Sequence, residues 1–218
     1  MAEDLTYNPA GHRGLITVFG SQLAQKDSAT KVPLPTELGG SSVVLAGRQA
    51  PLFYSSNGQI NAVVPYETDV NAGQQLVVVH GNTISVPQSV TIAAAAPGIF
   101  NAGNGQGTIL VNNILADAAH PAHAGDVVVI YCAGLGAVNP PVPTGSPAPG
   151  APHSTTVNQV KVTIGGVSAP VQFAGLTPGL VGVYQVNAVV PSVPAGNKVP
   201  VVMVAAGQQS QPVTIAIH

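Results

Sequence analysis

The stretch Gln59-Ile60-Asn61-Ala62-Val63-Val64-Pro65 returns as Gln185-Val186-Asn187-Ala188-Val189-Val190-Pro191. The segments around it recur in the same order, so the chain reads as two copies of one unit. Residues 9–23 (PAGHRGLITVFGSQL) align without a gap with residues 121–135 (PAHAGDVVVIYCAGL). A Pro-rich loop follows in both copies. Residues 41–51 (SSVVLAGRQAP) then align with residues 160–170 (VKVTIGGVSAP), sharing Gly47 with Gly166 and the dipeptide Ala-Pro at their ends. Ala72-Gly73 answers Ala195-Gly196, and Val90-Thr91-Ile92-Ala93 answers Val213-Thr214-Ile215-Ala216. Only the connections change length, which a shared fold tolerates because loops carry few buried contacts.

Within the repeated block the apolar residues alternate. Ile60, Ala62 and Val64 point one way and Gln59, Asn61 and Val63 the other; Val186, Ala188 and Val190 oppose Gln185, Asn187 and Val189 in the same manner. Val43 and Leu45 share a face, as do Val162 and Ile164. Leu76 to Val79 and Val199 to Val204 read as further strands bounded by Gly or Pro. Helical periodicity is nearly absent. Short strands at roughly ten-residue spacing, separated by Gly, Pro, Asn and Ser, are the pattern of antiparallel sandwiches. The expected fold is therefore all-β: two tandem immunoglobulin-like antiparallel β-sandwich domains related by internal duplication.

A chain of 218 residues suits two domains of about 100 residues each. The rigid-then-permissive pair Pro97-Gly98 places the boundary. Residues 1–96 form the first sandwich, with a short unmatched extension at 1–8, and residues 97–218 the second. The second opens on an extra hairpin at 97–120, in which Asn112-Asn113 tolerates positive φ and turns the chain between Thr108 to Val111 and Ile114 to Ala116. Apolar Ile99 and Phe100 beside the boundary imply domains that pack together.

Charged residues make up 6% of the chain, against roughly 25% in an ordinary soluble domain. Six Lys and Arg, spread singly, form no basic stripe for nucleic acid. Disorder is excluded by a 45% hydrophobic content that alternates. No apolar run reaches the roughly 18 residues of a membrane span. Met-Ala-Glu-Asp lacks the features of a secretory leader, so the expectation is a chain soluble as given, with any leader already removed. One cysteine excludes an internal disulfide. Cys132 stands in VVVIYCAG where the first copy has Gly20, and reads as a small buried residue.

Neither a Gly-x-Ser-x-Gly elbow, nor a phosphate-binding glycine loop, nor His-Glu-x-x-His occurs. Among the acids only Glu67 and Asp69 are close neighbours within a strand-exit loop; they read as solvated, although carboxylates from distant segments can meet in space. The best metal candidate is His120 with His123, joined by Asp117 or Asp126, but a closed site wants four ligands and nothing nearby clearly completes it. His80, aligned with Met203, reads as a packed or half-exposed strand side chain, and His12, His153 and His218 fall where solvent is expected. Gln59 with Asn61 and Gln185 with Asn187 put an amide pair on the same face of both copies, where they are expected to serve a need of the fold by bonding backbone of an adjoining loop. No catalytic, cofactor-binding or metal-binding residue is assigned.

The segments LPTELGGSSVVLAGRQAPLFYSSNGQINAVVPYET, AAAAPGIF, GQGTIL, GDVVVIYCAGLGAVNPPVPTG and VTIGGVSAPVQFAGLTPGLVGVYQVNAVVP resemble an uncharacterised family of C-terminal domains first described from soil acidobacteria, the Solibacter-type C-terminal domain. The resemblance runs from about Pro9 to Ile217. It implies a domain that ends a long secreted or surface protein, behind propeller, immunoglobulin-like or other repeat modules. It brings no functional residues, and the chain departs from the common pattern at Cys132 and in its several histidines.

The expected function is that of a noncatalytic extracellular or cell-surface module serving attachment, spacing or assembly. Its expected partners are neighbouring domains of a larger secreted protein or identical subunits. Two alternatives stay open. One is a filament or adhesin subunit assembled by strand addition, with the N-terminal MAEDLTYNPA as donor. The other is a carbohydrate-binding or hydrolytic domain; Phe53, Tyr54, Phe100, Tyr131, Phe173 and Tyr184 are its aromatics, and the absence of Trp leaves it poorly supplied with stacking surface.

Overall fold

The computed structural model describes residues 14–218 and the backbone of Thr6 and Tyr7. No helix occurs among them, and so none long and apolar enough to cross a membrane. The first half of the chain supplies β1 (Thr6–Tyr7), β2 (Leu15–Phe19), β3 (Asp27–Ser28), β4 (Ser41–Leu45), β5 (Arg48–Ala50), β6 (Leu52–Ser55), β7 (Gln59–Val63), β8 (Gly73–His80), β9 (Thr83–Ile84) and β10 (Gln88–Thr91). They build two antiparallel sheets, ordered β1-β2-β7-β6-β3 and β10-β8-β4-β5, with β9 beside β8.

The second half supplies β11 (Gly98–Ile99), β12 (Ile109–Val111), β13 (Ile114–Leu115), β14 (Val127–Ala133), β15 (Val138–Asn139), β16 (Thr155–Thr156), β17 (Val160–Ile164), β18 (Val167–Ala169), β19 (Val171–Leu176), β20 (Tyr184–Val189), β21 (Gly196–Ala205), β22 (Gln208–Gln209) and β23 (Val213–Ile217). Its sheets run β13-β12-β14-β20-β19-β16-β15, with β11 beside β14, and β18-β17-β21-β22, with β23 beside β21. In each half the chain passes back and forth between the two sheets. The result is two tandem immunoglobulin-like sandwiches.

Alternation in the sequence becomes burial. In β4 the pattern is buried, half-buried, buried, and β20 buries every second residue from Tyr184 to Ala188. One core gathers Ile16, Val18, Val43, Leu45, Ile60 and Ala62 of the first half. A second gathers Val128, Ile130, Val162, Ile164, Val186 and Ala188 at the matched positions.

The duplication extends to the register. Leu15 faces Val63 and Ile16 faces Ala62, as Val127 faces Val189 and Val128 faces Ala188. β6 carries a bulge between Leu52 and Tyr54, and β19 carries one at the equivalent place, between Val171 and Phe173. In β8 the Val78 amide donates to Ser85 Oγ at 3.0 Å, and in β21 the Met203 amide donates to Ser210 Oγ at 3.0 Å. This last pair corrects the sequence alignment. Val43 faces Val78 and Val162 faces Met203, while Ser41 faces His80 and Val160 faces Ala205, so the counterpart of His80 is Ala205. The same slip runs into the last strand: Leu76 faces Gln88 and Val201 faces Val213, so Val90 answers Ile215, and a shift of two residues leaves every side chain on its own face.

The N-terminal extension also has a counterpart. Thr6 faces Phe19 and Tyr7 faces Val18, the place that Ile109 takes opposite Ile130. Part of the hairpin expected to be peculiar to the second half is therefore shared, and two residues were too short a run to show it in the sequence. The turn itself is as expected: Asn112 and Asn113 have φ of 51° and 64°, and Val111 faces Ile114 across them.

The joint between the two sandwiches is made by Leu34, Val63 and Tyr66 from one side and Val181 from the other, with Leu15, Ala29 and Phe53 packed around them. Leu34 N donates to Gly145 O at 2.8 Å. Ile99, expected at this joint, instead enters the second core opposite Cys132, because its strand pairs with β14.

Candidate functional site

Each amide pair closes on itself. Gln59 Nε2 donates to Asn61 Oδ1 at 2.7 Å, and Gln185 Nε2 donates to Asn187 Oδ1 at 2.9 Å. Residues two apart on a strand share a face, so a glutamine reaches the asparagine beside it without bending the backbone. The expected bonds to an adjoining loop are replaced by this contact, which leaves each pair fewer free groups for a ligand.

His120 and His123 each hold a carboxylate of their own. His120 Nδ1 lies 3.4 Å from Asp117 Oδ1, and His123 Nδ1 lies 3.5 Å from Asp126 Oδ2. Asp117 Oδ1 accepts the amides of Ala119 (2.9 Å) and His120 (3.0 Å), and Asp126 Oδ2 accepts the His123 amide at 2.8 Å. These are two tight turns built by aspartates. The two backbone donors hold the Asp117 carboxyl below the usual aspartate range, with a smaller contribution from the His120 ring. Among the described residues no three His, Cys, Asp or Glu side chains gather as metal ligands would.

Glu67 and Asp69 line a cleft of about 440 Å³ between the sandwiches, together with Thr68, Ala94, Ala137 and Asn158. Thr144 of the second sandwich accepts the Tyr66 amide at 2.8 Å and donates its hydroxyl to Glu67 Oε2 at 3.1 Å. Glu67 is thus engaged across the joint, and the lining contains no imidazole, thiol, lysine or arginine to act beside the carboxylates.

The remaining histidines have ordinary neighbours. His153 meets Phe173 edge to face at 5.9 Å between ring centroids, and His218 Nε2 lies 3.0 Å from Asn197 Oδ1. His12 lies outside the described residues. His80 has a partner that the sequence did not announce: its Nδ1 lies 2.6 Å from Ser41 Oγ, which donates to the Leu23 carbonyl at 2.5 Å. A serine beside a histidine is the pairing of a nucleophile and its base. Ser41 is only 1% exposed and its proton is already committed to Leu23, so the pair is a structural contact between a buried serine and a half-buried histidine. Cys132 is fully buried, and burial pushes its thiol pKa up, away from the reactive thiolate.

A cleft of about 760 Å³ lies at an edge of the second sandwich. It opens where the chain leaves β16 for β17, with residues 155–162 on one wall and residues 168–174 on the other. Lys161 is the one charged side chain in its lining.

No family model and no curated protein matches the chain. Solved structures similar to it include SGBP-B from a complex xyloglucan utilization locus in Bacteroides uniformis, 10% identical, with 99% of this chain and 48% of that chain covered and a TM-score of 0.31. The I9-I11 tandem from titin is 12% identical over 99% of this chain and 64% of that chain, with a TM-score of 0.27. Domains 5-6 of the S-layer protein SbsC are 10% identical over 100% of this chain and 97% of that chain, with a TM-score of 0.31. The chain spans about half the length of the first and under two thirds of the second. The immunoglobulin-like architecture rests on the sheets and registers themselves.

Proposed function

We propose that the chain is a noncatalytic module of an extracellular or cell-surface protein, serving attachment, spacing or assembly, and that it belongs with the Solibacter-type C-terminal domains it resembles. One observation carries the reading: what the duplication keeps in both sandwiches is architecture. The bulges at Leu52/Tyr54 and Val171/Phe173, the amide pairs, and the hydroxyls of Ser85 and Ser210 recur at equivalent places, and each satisfies the backbone or its own neighbour. The polar groups with chemical potential are spent locally, as His120 on Asp117 and Glu67 on Thr144. The low charge of the chain suits lasting contact with neighbouring domains.

The filament alternative needs residues 1–8 as donor, and Thr6–Tyr7 already pair with β2 of their own sandwich; donation would have to displace that pairing. Brief protease treatment of intact cells that make the native protein tests the surface reading. Digestion without lysis is the expected result, and protection until lysis would overturn it.

A further inference from the structure

The two sandwiches are controls for one another, and at one edge they differ. The outer side of β6 is covered by the chain's own segment after β3. Ser28 pairs with Tyr54, Ala29 N donates to Phe53 O at 2.9 Å, and Leu52 N donates to Pro35 O at 2.7 Å. The equivalent strand β19 meets β16 at Thr155 opposite Gly175, and there the chain turns away, Val157 N donating to Ala137 O. Only residues 157–159 separate β16 from β17, where 29–40 separate β3 from β4, and the proline-rich loop of the second half comes before β16 and is tied elsewhere, through Gly145 O to Leu34 N and Ala148 N to Leu180 O. Among the described residues, nothing takes up the bonds that Ala29 and Pro35 make in the first sandwich.

Burial records the difference. Leu52 and Ser55 are buried, whereas their counterparts Val171 and Ala174 are half-exposed. Val171 and Ala174 still pack on the second core, so the cleft shows core-facing side chains beside an unfilled strand edge. The inner side is bonded alike in both copies: Val63 N donates to Pro51 O at 2.8 Å and Val189 N to Pro170 O at 2.9 Å. By that equivalence the Val171 N–H and the Gln172 carbonyl point into the cleft. A bulge often blunts an edge. Here it does not, since the same bulge in β6 is paired along its outer side.

We infer that the edge of β19 at Val171–Gln172 is an acceptor for strand addition, and that its occupant is an extended, proline-bearing apolar peptide from another polypeptide, lying antiparallel in the 760 Å³ cleft. The occupant's chemistry is set by the first sandwich, where Ala29-Thr30-Lys31-Val32-Pro33-Leu34-Pro35 fills the same place, its Ala29 N–H donating one bond to the edge and its Pro35 carbonyl accepting one. A strand that donates so few amides loses little by carrying prolines. The inference deepens the surface-module reading by naming how such a module would hold a neighbour.

The test uses the whole chain and a fluorescent peptide of residues 27–36 (DSATKVPLPT). Saturable anisotropy is expected, with exchange of the Val171 amide slowed at least ten-fold. A peptide N-methylated at the alanine equivalent to Ala29 should bind at least ten-fold more weakly, with the protein left unaltered. Val171→Pro, which removes the protein's own donor, should weaken binding similarly. No binding at millimolar peptide, equal binding of the methylated peptide, or protection away from 170–174 would each overturn the inference. So would concentration-dependent dimerisation that protects the same edge without peptide, since the occupant would then be a second copy. None of these outcomes bears on protease accessibility at the cell surface, so the two readings fail separately.

Discussion

Ser41 Oγ lies 2.6 Å from His80 Nδ1 across neighbouring strands, at the place where the second sandwich sets Val160 opposite Ala205. One hydroxyl has one proton, and Ser41 gives it to the Leu23 carbonyl. The histidine must then carry its proton on Nδ1 and donate to the serine.

The second sandwich shows that an apolar pair fits the same site, which makes a double-mutant cycle decisive. Ser41→Val alone strands the Leu23 carbonyl and the imidazole and is expected to cost about 1–3 kcal/mol. His80→Ala alone is expected to cost about 1 kcal/mol. The double variant should cost less than the sum by the share that the stranded imidazole contributes, while the Leu23 carbonyl, whose counterpart at Leu135 is bonded by Asn158 Nδ2, stays without a donor, as read from urea denaturation. Strict additivity would show that the two residues do not interact.

Ala46 turns from β4 to β5 with φ of 54°, where the second sandwich has Gly165 at 59°. A Cβ in the left-handed region costs roughly 1–2 kcal/mol, partly offset by the chain entropy that glycine loses. Ala46→Gly is expected to raise stability by about 0.5–1 kcal/mol. Gly165→Ala should lower it by more, because the added carbon would stand 3.2 Å from side-chain carbons of Val193 and Val199. Thermal melts of both variants check the pair of signs.

Cys132 is 0% exposed, opposite Tyr184 in β20 and Ile99 in β11. A thiol reagent should modify it only through opening of the second sandwich, at a rate roughly a hundred-fold or more below that in denaturant. Stoichiometric labelling of the native chain on mixing would contradict this burial.

The Asp117 carboxyl is depressed by the amides of Ala119 and His120. A carboxyl lowered in the folded state contributes stabilisation that is fully present above its unfolded value and lost as pH falls through the lower, folded one. The amide resonances of Ala119 and His120 should therefore titrate together, with a midpoint below the usual aspartate range. Asp117→Asn should abolish that titration. A midpoint within the ordinary range would sink the assignment.

Much of the architecture was legible because Gln-x-Asn-Ala-Val-Val-Pro and the Val-x-Val alternations combine a fixed period with a repeat. The bulges were hidden, because Phe53 and Gln172 at their centres share no chemistry and only the strand register reveals them. Val63 and Val189 are the same residue at the same place, yet Val63 is 0% exposed and Val189 half-buried, since only one of them meets a second sandwich. Such a difference belongs to tertiary context and leaves no local trace. The Ser41–His80 contact escaped for a related reason: a slip of two residues in the alignment set His80 against Met203. Glu67 and Asp69 are legible as neighbours in a loop, but the hydroxyl of Thr144 that engages Glu67 comes from far along the chain.

The connector near residue 96 lies directly on the backbone of the second sandwich. Ala96 N donates to Gly134 O at 2.8 Å, and a Cβ at Gly136 would come within 2.5 Å of Ala94 O. With Leu34 bonded to Gly145 and Tyr66 and Glu67 bonded to Thr144 on the other flank, the lobes are keyed on both sides of the connector, an arrangement that favours a strut over a hinge. Tension along the chain would meet shear across that keyed seam before it could straighten the connector, and inserting even a single residue there should disengage the teeth.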